Sequence, residues 1–252
     1  MNRITNYSEL TQRICSWLKD YTINNNIQAF VVGVSGGIDS AVVSTLCAET
    51  GIPTYVLSMP LNSSFANDEL SDSYTNLLED KYDNVTKIRI DLTSTYNQLI
   101  KAFDFWTGDG EFTRNKLANA NTKSRLRMVT LYQVAGSVGG IVVGTGNKVE
   151  DYGVGFYTKY GDGGVDIAPI ADLYKTEVWE LGKHLGVDQR IIDAQPTDGL
   201  WEDGRTDENQ IGASYVELEE AMENGTGPAV EILAKFNKQN SHKMNPIPTF
   251  QL

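Results

Sequence analysis

The sequence predicts an α/β fold: a doubly wound, mostly parallel five-stranded sheet with helices on both faces. Three observations carry this. Short apolar runs alternate with longer segments of helical spacing from Ala29 to Thr145, the signature of βαβ units. The runs are apolar throughout instead of alternating, which suits parallel strands covered on both sides. No internal repeat and no Ser/Gly/Pro-rich linker divides the 252 residues, so residues 1–252 are expected to form a single domain.

The elements follow in order. Leu10, Ile14, Trp17 and Leu18 recur at helical spacing and place a first helix over Ser8 to Tyr21, followed by a polar TINNN loop. AFVVGV, Ala29 to Val34, reads as a buried strand that runs into SGGIDS. Ala41, Val42, Val43, Leu46 and Cys47 predict a helix that stops near Gly51. PTYVLSMP is a second strand, Asn67 to Glu79 a helix, and Asn84 to Asp91 a third strand. Tyr96, Phe103, Phe105 and Trp106 form an aromatic-rich stretch suited to core packing or to a subunit interface. A long helical pattern spans about Asn115 to Val138, and Gly139 to Thr145 is another strand. Tyr157 to Ala168 reads as a shaped Gly/Asp/Tyr loop. Tyr174 to Leu185 and Ser214 to Glu223 read as amphipathic helices around an acidic loop or lid, Asp198 to Gln210.

Composition narrows the function. The chain has 21 basic and 33 acidic residues, a formal charge of −12, with a pI near 4.6. That balance argues against a broad nucleic-acid or anionic-membrane surface, because phosphate contacts need clustered Lys and Arg. It leaves room for small anions held by local donors. The cysteines, Cys15 and Cys47, sit in helical patterns and form no CxxC; with His184 and His242 the only histidines, a Cys/His zinc site is not expected. No signal-peptide core or membrane-length apolar run is present, so the expected location is the cytoplasm.

The strongest local signal is the loop Gly33-Val34-Ser35-Gly36-Gly37-Ile38-Asp39-Ser40. A strand, a glycine turn and a helix start aim unpaired N–H groups at one point, and the helix dipole favours an anion there. Ser35 and Ser40 add hydroxyls. Asp39 would repel a phosphate directly, so its natural role is to hold Mg2+ beside one. A Walker A loop needs GK followed by Ser or Thr, which is absent. A dinucleotide fingerprint needs GxGxxG and a carboxylate after the second strand, which are absent too. The bland alternative is a Ser/Gly turn with an Asp cap.

SGGIDS resembles the pyrophosphate loop of the ATP pyrophosphatases, the N-type adenine nucleotide alpha hydrolase group. Further motifs follow it in order: Asn121-Thr122-Lys123-Ser124-Arg125-Leu126-Arg127-Met128, Gly144-Thr145-Gly146-Asn147-Lys148-Val149-Glu150, Thr158 to Asp166 (TKYGDGGVD), Pro169 to Lys175, and Ser241-His242-Lys243. This ordered set resembles NAD synthetase, the ammonia-dependent form, over about Gly33 to Lys243. The resemblance implies a Rossmann-like fold of the adenine nucleotide alpha hydrolase type. It implies ATP-dependent amidation of deamido-NAD by ammonia, giving NAD, AMP and pyrophosphate through an adenylated carboxylate.

Site roles come from the same resemblance. Gly33 to Ser40, Thr145, Lys175 and Thr197 match ATP contacts, and Asp39 and Glu150 match Mg2+ ligands. Arg125, Lys159, Asp166, His242 and Lys243 match contacts to deamido-NAD. Asp162 lies in the nicotinate-facing loop as a candidate catalytic group alongside Lys175. The family also implies a homodimer. No glutaminase domain is expected in 252 residues, so the expected nitrogen source is free ammonia, unless a separate glutaminase chain supplies it. Two departures stand out: GTGNKVE replaces the common GTDHAAE, leaving Asn147 without a carried-over role, and one extra residue precedes TKYGDGG. Taken singly, Glu150 also reads as a first-turn carboxylate, Arg125 and Arg127 as an exposed helix face, and His242 as a surface residue. Two other readings are another ATP pyrophosphatase, acting on tRNA or a nucleobase, and a non-catalytic ATP-binding module.

Overall fold

The computed structural model describes residues 3–62, 65–107, 113–197, 199–201 and 204–251. Four parallel strands form its sheet: β1 (Ala29–Gly33), β2 (Thr54–Ser58), β3 (Val85–Arg89) and β4 (Gly140–Val142), in the order β3-β2-β1-β4. β1 pairs with β2 from Phe30 opposite Thr54 and with β4 from Ala29 opposite Gly140. The chain thus winds outward through β2 and β3 and then crosses to the other side of β1. The carboxyl ends of β1 and β4 flank that switch, where open α/β sheets bind ligands.

Among the described residues the sheet has four strands, not the five expected. The fifth position carries a single parallel bridge, Val143 to Ile167. Asp166 N donates to Val142 O and Gly144 N to Ile167 O. Pro169 follows at once and has no N–H with which to extend the ladder.

Helices cover both faces. On one lie α1 (Tyr7–Asn25), α2 (Ile38–Glu49), α3 (Phe65–Lys81) and α6 (Lys175–Leu185), around a core that includes Leu18, Phe30, Val42, Leu46 and Leu181. α2 lies sandwiched between the sheet and its neighbour helices, so nearly all its residues are buried. On the other face are α4 (Thr93–Thr107) and α5 (Lys116–Val138), over Val31, Leu57, Tyr96 and Val142. The side chains of Phe105 and Trp106 lie outside those described.

α1 outruns its expected end. The TINNN segment stays helical, and the turn comes at Asn26, in the left-handed region at φ 54°. Its start is capped by Asn6, whose side chain accepts from Glu9 N. A third core joins a π-helix (Lys148–Val154), which precedes α6, to α8 (Asp207–Ile211), α9 (Tyr215–Asn224) and α10 (Val230–Met244), with a one-turn α7 (Gln189–Ile192) between α6 and α8. The acidic segment expected as a loop therefore ends in helix α8. α10 has no counterpart among the elements expected from the sequence, although Val230, Leu233 and Phe236 recur every third residue. No described helix is long and apolar enough to cross a membrane.

Candidate active site

The loop after β1 has the predicted form. Gly36 takes φ 86°, which a side chain would resist, and Gly37 caps α2 in an extended conformation. Ser40 Oγ accepts from Ser35 N at 3.1 Å and donates to Gly37 O at 3.0 Å; Gly37 N donates to Ser35 Oγ at 3.2 Å. The two hydroxyls hold the turn that exposes the first amides of α2. Asp39 sits in that first turn, where the helix dipole favours its charge.

Three elements meet Asp39. Lys175, the first residue of α6, donates from Nζ to Asp39 Oδ2 at 2.5 Å and to Glu150 Oε1 at 2.8 Å. The Lys175 side chain is only 2% exposed, so its charge depends on these partners. Burial alone would lower its pKa; the two carboxylates outweigh that and raise it. Burial raises Asp39, offset in part by Lys175. Glu150 carries a like burial penalty but is held low by Lys175 and by hydrogen bonds. Asn147 completes the junction: its Nδ2 donates to Asp39 Oδ1 at 3.1 Å, while its Oδ1 accepts from Val149 N and Glu150 N. The position left without a role in the sequence is thus the hinge of the carboxylate pair.

Tyr215 was not visible to motif reasoning. It is 1% exposed, and its hydroxyl donates to Glu150 Oε1 at 2.7 Å and lies 3.3 Å from Asp207 Oδ2. Its ring also packs under Lys175 Nζ, 4.9 Å from the centroid. Its only sequence signal is a place in the amphipathic pattern of α9.

The TKYGDGG loop is clamped against α5. Ser124 Oγ donates to Asp162 Oδ1 at 2.7 Å, Thr158 N to the same oxygen at 3.0 Å, and Asp162 N returns a bond to Ser124 Oγ at 2.9 Å. Thr158 Oγ1 donates to Asn121 Oδ1 at 2.6 Å. Asp162 is accessible to solvent, yet the surrounding protein disfavours its charge and raises its pKa. Lys243 of α10 reaches the same loop, donating from Nζ to Tyr157 O at 2.5 Å, and burial lowers its pKa. Asp151, next to Glu150, is pushed up to about 8 by burial and by the charges of Glu150, Asp162 and Asp39.

The remaining sequence candidates divide. Arg125 is exposed and donates to Lys159 O at 3.2 Å, so these two adjoin. Thr145 follows β4 at the switch point, half-buried. Asp166 accepts from Val142 N at 2.8 Å and from Tyr132 Oη at 3.0 Å, one bond on each oxygen. His242 is exposed on α10, and Thr197 is exposed and caps Gly199 N at 2.9 Å; among the described residues neither shows a bond to the other candidates.

A phosphate-sized cradle, a converging carboxylate pair and a clamped acidic loop are together the equipment of nucleotide chemistry. The comparisons agree. The family model for NAD synthase matches residues 10–247. The chain is 38% identical over 242 residues to the NH(3)-dependent NAD(+) synthetase of Carboxydothermus hydrogenoformans, covering 94% of this chain and 95% of that protein. Among solved structures it is similar to the NMN synthetase of Francisella tularensis, with TM-score 0.87, 32% identity and coverage of 99% and 100% of the two chains. It is also similar to the NH3-dependent NAD synthetase of Campylobacter jejuni, with TM-score 0.75, 25% identity and coverage of 98% and 100%. On this evidence of sequence and fold, the chain belongs to the NAD synthase family.

Proposed function

We propose that this protein amidates deamido-NAD with ammonia, consuming ATP and forming NAD, AMP and pyrophosphate. The observation that carries the reading is the junction of Asp39, Glu150 and Lys175 beside the amides of the glycine loop. Residues 1–252 act in it as one synthetase domain.

A carboxylate resists attack by ammonia because its oxygen leaves badly. In the first step the nicotinate carboxylate attacks the α-phosphorus of ATP. An O–P bond forms, the bond to the β-phosphate bridge breaks, and pyrophosphate departs. The amides at Gly36 to Ser40 and the Lys175 ammonium neutralise the departing charge. Thr145 and Thr197 hold the nucleotide. Asp39 and Glu150 fit a divalent cation: their hard oxygens already converge on one cationic point, the Lys175 Nζ. Mg2+ bound by them would supply Lewis-acid stabilisation to the phosphates. Arg125, Lys159, Asp166, His242 and Lys243 bind the acid nucleotide. In the second step ammonia adds to the acyl carbon, AMP leaves, and the added nitrogen loses a proton. Asp162, fixed by Ser124 and Thr158, orients ammonium and receives that proton.

A second reading concerns the length of the acid substrate. The solved structure named NMN synthetase matches at TM-score 0.87, against 0.75 for the Campylobacter NAD synthetase. That favours a mononucleotide, nicotinate ribotide, as the acid. The chemistry at the carboxylate is the same. The test is to supply ATP, Mg2+ and ammonium with either acid and to identify the products. NAD formed at the higher kcat/KM supports the first reading, and NMN the second. ADP in place of AMP, or no amide from either acid, overturns both.

The family resemblance also implies a homodimer, which exposed Leu99 and Phe103 on α4 and Val129 and Tyr132 on α5 support.

A further inference from the structure

Lys175 stands on the first turn of α6, and that turn has no local cap. Its N-cap is Tyr174, which makes no side-chain cap bond, whereas Ser, Thr, Asp or Asn ordinarily accepts from the free amides at a helix start. The acceptor comes from α9 instead. Glu219 Oε1 accepts from Thr176 N at 2.9 Å, and Glu219 Oε2 accepts from Thr176 Oγ1 at 2.7 Å. Both oxygens thus hold the residue that follows Lys175, from 43 positions along the chain. The Glu219 side chain is 2% exposed, so its charge needs a partner within the protein. Arg3, ahead of α1, is that partner: its Nη1 donates to Glu219 Oε2 at 2.9 Å, and its guanidinium lies 4.7 Å from the centre of the Tyr174 ring.

The same helix supports Lys175 at its other end. Tyr215 and Glu219 are four residues apart and share one face of α9. Tyr215 packs its ring under the Lys175 ammonium and donates to Glu150, a partner of that ammonium. Glu219 holds the backbone from which the side chain departs. We propose that Glu219 is a positioning residue of the ATP-cleaving step: by capping α6 at Thr176 it fixes the point from which Lys175 reaches Asp39 and Glu150. The inference rests on the proposed function above. A helix start without its cap frays. Fraying there would release the Lys175 backbone and carry the ammonium away from the place where pyrophosphate departs. Glu219 therefore acts through Lys175, by geometry, and not on the nucleotide.

The test reads binding and turnover separately. Affinity for pyrophosphate with Mg2+ is measured by calorimetry, and kcat and KM for the acid nucleotide by steady-state assay, all well below the Tm of each variant. Glu219→Ala should weaken pyrophosphate binding and lower kcat, each about tenfold, as loss of a supporting partner does, and should leave KM for the acid nucleotide at its wild-type value. Glu219→Gln still accepts from Thr176 N, so it should keep most of both, with a lower Tm from the lost Arg3 pair. Thr176→Val removes only the hydroxyl bond and should fall between wild type and Glu219→Ala; it carries the test where Glu219→Ala does not fold. Wild-type affinity and kcat in folded Glu219→Ala, or in Thr176→Val where the former is unfolded, overturn the inference. So does Glu219→Gln no better than Glu219→Ala, or an acid KM that rises as kcat falls. Lys175→Met separates the two claims. Pyrophosphate binding unaffected by Lys175→Met would sink the role of Lys175 in the proposed function. Binding lost with Lys175→Met but kept with Glu219→Ala would sink only the role of Glu219.

Discussion

Lys175 begins a helix, where the dipole disfavours a cation, and it is almost wholly buried. Both costs are offset by Asp39 and Glu150, which would otherwise repel each other. Lys175→Met should therefore lower stability by about 3 kcal/mol, the usual scale for stranding buried charges. Added Mg2+ should raise the Tm of that variant more than that of the wild type, because the two carboxylates, no longer neutralised by Lys175, bind the divalent ion more tightly. Thermal melts with and without Mg2+ check this; equal shifts would refute it. At this scale the sequence named Asp39, Glu150 and Lys175 through their motifs, but not their mutual contact. It missed Tyr215, whose partner Glu150 lies 65 residues away, since a tyrosine on an amphipathic helix looks like any core aromatic until its hydroxyl finds an acceptor.

The π-helix is the least expected element, and α10 explains how it persists. A π turn leaves carbonyls poorly placed for partners within the helix. Asn237 Nδ2 donates to Gly153 O at 3.3 Å and Asn240 Nδ2 to Val154 O at 2.8 Å. These asparagines are three residues apart and so share one face of α10. Asn240→Ala should cost about 1–2 kcal/mol through a stranded carbonyl, read as a urea midpoint shift; an unchanged midpoint would remove α10 from this role. A different pin joins α3 to β3, where Arg89 Nε meets Asp72 Oδ2 at 3.0 Å. Burial opposes the charge on Asp72, but its hydrogen-bonded Arg89 helps hold the pKa below the usual range. A depressed carboxylate pKa stabilises the fold above the unfolded value, about 3.9, and that stability is lost as pH falls through the folded value. The stability gap between wild type and Asp72→Asn should be present at pH 7, under about 1 kcal/mol for so accessible a pair. It should close at lower pH; a gap constant down to pH 2 would contradict the assignment. Strand and helix periods were legible for most elements. The limits of α1 and the π turn were not, because tertiary partners set where a helix stops.

At the scale of the whole molecule, the reversal of winding between β1 and β4 gathers the glycine loop, Thr145 and the π-helix into one crevice. The helices opposite α2 leave apolar side chains in solvent, Val129 at 57% and Phe103 at 44% exposed among them. If α4 and α5 form the twofold contact of a homodimer, Val129→Glu appears there twice and is desolvated. The wild type should sediment at twice the chain mass and Val129→Glu at the chain mass; a monomeric wild type would refute the dimer. The sequence by itself determined the parallel α/β class, the anion loop and the family, because apolar period, glycine placement and ordered motifs are local properties. It also expected one strand more than the described residues show, since the bridge at Val143 and Ile167 depends on where Pro169 ends the pairing. Only the tertiary structure decided that Lys175 bridges Asp39 and Glu150, that Tyr215 joins them, and that Glu219 caps α6. Those are contacts between distant segments, fixed by packing around three cores, and side-chain spacing along a chain carries no record of them.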